Sequence, residues 1–493
     1  MFVGLSALFA GSWLVGAVAH VDDGHAIDHV AGSWMSLASA ANAGTFYPPL
    51  YDGGFYGGTR FAPLPIALQA GSSRITGEYL VSAKSLSLVL AVVLVALAFV
   101  AVRRIGRETP LALLLASTLL VSGTGLSAAN GIRNDALPVI LQLGALALIV
   151  RSPTRTAVVG AGLLCALALA SKFSAVWAPF AIFVWLLRRN RRRAAEFSGG
   201  FVCVLLLVFG SFEALSAGRM SDNVLGLAIT GTSRVGDLGD QFGRLRLIGT
   251  EGLGALVVLL LLAFVGTAFA ARRRQLLLEH VALMAATVVT AFVLLDPGSF
   301  LNHLLDVQVL ALPVVAELWH RSAFQLGRAS LARLAIAAVV VVGSVAVYID
   351  DFSLPSDLRT LLGETALPDR VPRLSGVIAE GETILSEDPS IPVLRGERPI
   401  VLDPYMLIAV GDQHPGWRDE LVARIGRAEF DTVVLLFEPG TAPSGTGTCT
   451  SAARSSRRSR RVTDPRRMLV AIGSTGAGDS PALCGGQLRS GRA

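Results

Sequence analysis

The chain has 493 residues, 53% of them hydrophobic and 16% charged, with a mean hydropathy of +0.60 and a net charge of +6. A soluble domain carries about 25% charged residues, so this composition excludes an ordinary soluble protein and points to the membrane class. The positive charge does not indicate nucleic-acid binding, because the arginines sit in short clusters between apolar runs, where they report membrane topology.

Apolar runs near the roughly 17–25 residues needed to cross a hydrocarbon core recur along the first 350 positions. Taken in order, spans are expected at 3–19, 80–102, 110–128, 135–150, 156–171, 174–188, 197–216, 252–271, 278–295, 303–319 and 331–349. The first run also ends in Ala17-Val18-Ala19, a signal-peptidase-like site, although no basic stretch precedes it. Residues 62–77 are apolar but short and carry Pro63, Pro65, Gly71 and Gly77, so they read as a juxtamembrane or re-entrant segment.

The connections alternate in charge. One set holds Arg103, Arg104 and Arg107; Arg151 and Arg155; Arg188, Arg189 and Arg191 to Arg193; Arg272 to Arg274; and Arg321 and Arg328. The other holds Asp22, Asp23, Asp28, Asp135, Glu213, Asp222, Asp296 and Asp306. The positive-inside rule makes the first set cytoplasmic. The N-terminus is then inside, while the loop 20–79 and everything after about residue 350 are outside.

Three regions follow: a transmembrane module over 1–349, a small extracytoplasmic α/β domain over 350–439, and a disordered basic tail over 440–493. Within the second, 383–387, 399–402 and 431–437 read as short buried strands and 416–428 as a helix. The tail is rich in Gly, Ser, Thr and Arg. Cys165 and Cys203 fall in apolar runs and read as packing residues; Cys449 and Cys484 lie in the tail; no zinc spacing is present.

The loop 20–79 is long enough to be functional. It opens with six ionisable residues in ten: His20, Asp22, Asp23, His25, Asp28 and His29. Asp22 and Asp23 suit a general base that takes the proton of an acceptor hydroxyl. They equally suit the N-cap of a helix over about 24–43. His25 and His29, spaced i, i+4, have metal-ligand spacing with Asp22 or Asp28 as a further ligand, and the alternative is a pair of partly exposed polar histidines. Arg60 and Arg74 flank the re-entrant segment as guanidinium forks for phosphate or as snorkelling anchors. Arg133 and Asp135 lie in the outer turn Asn130–Ala136, Lys172 lies between two spans, and Asn302, His303 and Asp306 lie in another outer turn. Only Lys84 and Lys172 are lysines among the 42 basic residues, which favours a role for a compact ammonium at Lys172. These groups stand at span ends rather than span centres, which favours chemistry at the outer surface over transport.

The order of these motifs resembles the GT-C superfamily of membrane glycosyltransferases, in particular the protein-O-mannosyltransferase and lipid A aminoarabinose-transferase branch. The resemblance rests on Asp22-Asp23-Gly24, Phe61-Ala62-Pro63, Arg133-Asn134-Asp135-Ala136, Ala170-Ser171-Lys172-Phe173, Gly298–His303 and Gly396–Asp403. It implies a polytopic α-helical membrane protein of about eleven spans in a bacterial cytoplasmic membrane. It implies a hexosyl- or pentosyltransferase that moves a sugar, with inversion, from a polyprenyl-phosphate donor to a lipid, glycan or protein acceptor. Asp22 or Asp23 would supply the catalytic carboxylate. Arg60, Arg133 and Lys172 would hold the donor phosphate, with His25, Asp135, Asn302 and His303 in support and a divalent metal ion as an open cofactor question. The competing readings are a flippase or transporter of a lipid-linked saccharide, and a non-catalytic scaffold with an outer binding domain.

Overall fold

The computed structural model describes residues 2–24, 27, 29–151, 153–231, 254–295, 301–322, 337–338, 340–343, 345, 348, 354–362, 378–411, 414–435 and 468–470. The described chain is predominantly helical. Helix α1 (Phe2–Ala19) has no charged residue, and helix α4 (Tyr79–Gly106) runs 28 residues with arginines confined to its last turn. These two and α10 (Arg191–Leu215) are the described helices long and apolar enough to cross a membrane. None of the apolar window of α10 is buried inside the protein, so its side chains are left for lipid to solvate. Cys203, expected to pack internally, is exposed on this helix, whereas Cys165 is buried.

Helices α7 (Ala136–Arg151), α8 (Arg155–Ser171) and α9 (Trp177–Arg189) fall on expected runs, as do Gly254–Arg272, Leu278–Val293 and Leu304–Ser322. They are shorter or more mixed than the three long spans. The run expected at 331–349 and Cys449, Cys484 and Arg328 lie wholly or largely outside the described residues. Helix boundaries follow local chemistry. Thr154 caps α8 by accepting from Ala157 N, and Asn190 ends α9 and caps α10 by accepting from Arg193 N. Helices α8 and α10 approach closely at Gly162, where a Cβ would lie 2.6 Å from Phe197 O.

The span expected at 110–128 is broken. Helix α5 (Thr109–Ser117) passes through a 3₁₀ turn at Thr118–Leu120 into α6 (Gly123–Asn130), bent by 71°. Ser122 caps α6 by accepting from Gly125 N, and a Cβ on Gly125 would sit 1.7 Å from Leu119 O. The Ser-Gly-Thr-Gly sequence therefore supplies both the cap and the space for the bend.

The arginine-bearing ends meet one another. Arg104 pairs with Glu279 at 3.2 Å, Arg321 donates to Gln275 Oε1 at 2.6 Å, and Arg193 pairs with Glu196 at 3.0 Å. At the opposite end, helices α2 (His29–Asn42) and α3 (Pro63–Thr76) cover the bundle with α11 (Arg219–Gly231), which the hydropathy did not indicate. Their core joins Trp34, Met35, Tyr47, Ile66, Leu80 and Met220. Helix α2 begins at His29, so neither Asp22 nor Asp23 caps it; the chain bends for several residues first.

In the C-terminal part, β3 (Ile384–Ser386), β4 (Thr432–Leu435) and β5 (Met468–Val470) form a parallel sheet in the order β3-β4-β5. Strand β5 falls in the segment expected to be a disordered tail. The helix expected at 416–428 is Pro415–Gly426. The strand expected at 399–402 does not join this sheet, because its backbone is spent on the first loop. Tyr56 N donates to Ile400 O, and Leu402 N donates to Tyr56 O, both at 2.8 Å. Tyr56 belongs to a short hairpin of β1 (Tyr51–Asp52) and β2 (Phe55–Tyr56), which shares a core with Leu385, Ile400, Val401 and Phe430.

Candidate active site

The two aspartates at the exit of α1 have different surroundings. The Asp23 carboxylate accepts from His20 Nδ1 at 2.5 Å and from Lys84 Nζ at 3.3 Å. Lys84, a buried residue of α4, also donates to the backbone oxygens of His20 and Asp23 at 2.5 and 2.6 Å. The other His20 nitrogen, Nε2, faces Asp357 Oδ1 at 3.5 Å, on the helix Leu354–Leu361. The hydrogen bond to Asp23 raises the His20 pKa above the ordinary histidine value; burial opposes this and Asp357 adds to it. Asp22 is exposed and makes no hydrogen bond or ion pair with the described residues. One carboxylate of the pair is thus clamped and its neighbour is open.

A second cluster lies at the start of α7. Asp135, buried ahead of the helix, accepts from Lys172 Nζ at 2.7 Å and from Asn302 Nδ2 at 2.9 Å. Burial pushes the Asp135 pKa up. The Lys172 ammonium outweighs that, with Arg133 helping, and leaves the carboxyl below its ordinary value. His303 ends the 3₁₀ turn Leu301–His303, ahead of its helix. Desolvation lowers its pKa to about 3; the charges of Lys172, Arg60 and Arg133 push the same way, and Asp135 opposes. The ring therefore stays neutral and feels all three candidate phosphate-binding cations. Asn134, buried with φ of +53°, turns the chain so that Arg133 and Asp135 flank it.

The two clusters share one end of the bundle. Ser87, one turn along α4 from Lys84, donates to Gly131 O at 2.9 Å. Trp13 of α1 donates to Asn130 Oδ1 at 3.1 Å. The loop that carries Arg133 and Asp135 is therefore fastened to both helices that set the acidic pair. Arg60 lies over the Tyr405 ring at 5.7 Å, which ties the first loop to the C-terminal part.

The expected residues thus converge in part. Asp135, Lys172 and Asn302 are in direct contact, and His303 lies within electrostatic reach of Lys172, Arg60 and Arg133. His25 lies outside the described residues, as does Asp28. Sequence reasoning missed the contacts of Lys84 and His20 with Asp23 and of Asp357 with His20. The rarity of lysine was the available signal: both lysines end on aspartates of this site.

Among the described residues, no group of three or more His, Cys, Asp or Glu is placed to hold a divalent ion; His25 and Asp28, expected as ligands, lie outside them. At the acidic pair, the Lys84 ammonium holds one Asp23 carboxylate oxygen and two backbone oxygens, while the Asp22 carboxylate stays open.

No protein-family model matches the sequence, and no curated protein matches it. Among solved structures, the chain is similar to ArnT from Cupriavidus metallidurans bound to undecaprenyl phosphate, with a TM-score of 0.55, 13% identity, and coverage of 85% of this chain and 91% of that one. The apo state of the same protein gives a TM-score of 0.52 at 13% identity, covering 86% and 91%. The Archaeoglobus fulgidus oligosaccharyltransferase in complex with Zn and sulfate gives a TM-score of 0.52 at 12% identity, covering 80% of this chain and 62% of that one. The chain therefore shares the fold of these proteins, and three of its described helices are long and apolar enough to cross a membrane.

Proposed function

We propose that this protein is a glycosyltransferase that moves a sugar from a polyprenyl-phosphate donor to an acceptor at the outer face of a bacterial cytoplasmic membrane, with Asp22 as the catalytic base. The observation that carries this reading is the split pair: an exposed, unengaged Asp22 beside an Asp23 fixed by Lys84 and His20. A base must be open to the hydroxyl it deprotonates. A neighbour held at its backbone and its carboxylate keeps that base in place.

In this mechanism the acceptor hydroxyl loses its proton to Asp22 as its oxygen attacks the anomeric carbon. The bond from that carbon to the phosphate oxygen breaks on the opposite face, which inverts the configuration, and the polyprenyl phosphate leaves. Its growing charge needs cations fixed beforehand. Arg60, Arg133 and Lys172 supply them. Lys172 has three N–H donors; Asp135 takes one, and no other described residue takes the rest. The similar ArnT structure holds undecaprenyl phosphate, a carrier of this class. The arginine-rich ends lie inside and the site outside, in keeping with the positive-inside rule.

The test pairs two variants of the full-length protein with topology reporters. Asp22→Asn is expected to lower sugar transfer by about 10²–10⁴-fold, the usual worth of a general base, with thermal stability unchanged. Asp23→Asn is expected to lower stability as well. Undiminished transfer by Asp22→Asn, or reporters that place residues 21–60 in the cytosol, contradicts the reading.

A further inference from the structure

A cavity of about 480 Å³ lies between the first loop, α2 and the C-terminal part, within the range of about 300–1,000 Å³ usual for small-molecule sites. Ser36 and Ser39 of α2, Asp52 and Phe55 of the hairpin, and Glu397 and Arg398 of the C-terminal part line it. Its charges are balanced and mostly committed to one another. Arg398 pairs with Asp52 at 3.1 Å and lies over the Phe55 ring at 4.2 Å. Glu397 pairs with Arg395 at 3.0 Å. Arg219, also in the lining, spends its guanidinium on the carbonyls of Tyr47 and Phe46 at 2.7 and 3.5 Å. Both lining arginines are thus engaged within the protein, and the lining mixes hydroxyl and charged groups with the apolar side chains of Pro48, Pro49 and Val393.

The cavity does offer unspent hydroxyls and carboxylate oxygens. The hydroxyls of Ser36 and Ser39 make no hydrogen bond with the described residues, and Ser36 is only 7% exposed. A neutral polyol suits such a mixed lining: its hydroxyls both donate and accept, and its apolar ring face covers apolar side chains such as Pro48, Pro49 and Val393. The lining serines stand 7 and 10 residues along α2 from His29, roughly 10–15 Å from the end nearer the acidic pair. An occupant here lies away from the reacting hydroxyl, as a later unit of an extended acceptor would.

We infer that this cavity binds a neutral carbohydrate, the part of a glycan acceptor remote from the hydroxyl that reacts; the acceptor role rests on the glycosyltransferase reading above. The test is a calorimetric titration of full-length protein in detergent with mannose-, glucose- and galactose-based trisaccharides and, separately, inorganic phosphate. One trisaccharide or more is expected to bind, and Ser39→Trp, which fills the cavity, and Asp52→Ala, which opens its wall, are each expected to weaken that binding at least tenfold. Consumption of the polyprenyl-phosphate donor without acceptor is expected to be unchanged in both variants. Binding of phosphate alone, no binding by any trisaccharide, or binding that neither variant weakens overturns the inference. Saccharide binding lost in both variants, from a wild type that consumes no polyprenyl-phosphate sugar, leaves the carbohydrate cavity standing and removes the glycosyltransferase reading instead.

Discussion

Replacing Lys84 with methionine keeps the length and apolar stem of the side chain and removes its ammonium. The ammonium holds two carbonyl oxygens and one carboxylate oxygen at 2.5, 2.6 and 3.3 Å, with 7% of the side chain exposed. At 3.3 Å the attraction to Asp23 is roughly 5 kcal/mol for an effective dielectric constant near 20. Taking the ammonium out of water gives much of that back. Asp23 is partly exposed and keeps His20 as a partner, so the net loss falls to about 2–4 kcal/mol, which includes two carbonyls left without a charged donor. The assay is thermal unfolding of the full-length protein in one detergent, run as a cycle with Asp23→Asn. A coupling of about 1–3 kcal/mol between the two positions is expected. Sugar transfer is expected to fall about 10²-fold, the cost of a base displaced by about 1 Å. Stability effects that simply add, with transfer intact, would refute the claim that Lys84 fixes the acidic pair.

Asp135→Asn leaves the Lys172 ammonium without its counter-ion. Because Lys172 is 19% exposed, the expected loss is about 2–3 kcal/mol, short of the roughly 3–5 of a fully buried pair, and it is read from the unfolding temperature. The pH dependence follows from His20, whose folded pKa lies above 6.5. Its contribution to stability is complete below 6.5 and is lost as pH rises through the raised folded value, so the unfolding temperature is expected to fall as pH rises from 6.5 through that value. His20→Gln should flatten this dependence, and an unchanged slope in that variant would contradict the His20–Asp23 pairing. Gly32→Ala would place a Cβ 2.1 Å from Ser390 N, so α2 must shift away from the C-terminal part. A loss of about 1–3 kcal/mol is expected, and wild-type stability would show that this docking is absent in solution.

The place of the acidic pair was legible because a span without charges ends at Ala19 and the next residues are polar. Which aspartate stays open was not, since that depends on Lys84 in another helix and on Asp357, far along the chain, which faces His20. Strands β3 and β4 stand where short apolar runs predicted them. Residues 399–402 carry the same local signal, yet their hydrogen bonds go to Tyr56 of the first loop, a tertiary choice no local pattern contains. The bend inside 110–128 was legible in principle from Ser122, Gly123 and Gly125, but the apolar run on either side carried more weight in a hydropathy reading. Lys172 was singled out by its rarity; the same argument applied to Lys84 would have found the clamp.

The most direct measurement follows labelled polyprenyl-phosphate sugars in membranes that carry the wild-type protein or its Asp22→Asn variant. The wild type is expected to consume at least one donor and place its label on a new acceptor, and the variant to leave that donor intact while accumulating to the same level. Equal consumption in the two membranes, or none with any donor of the class, would contradict the account.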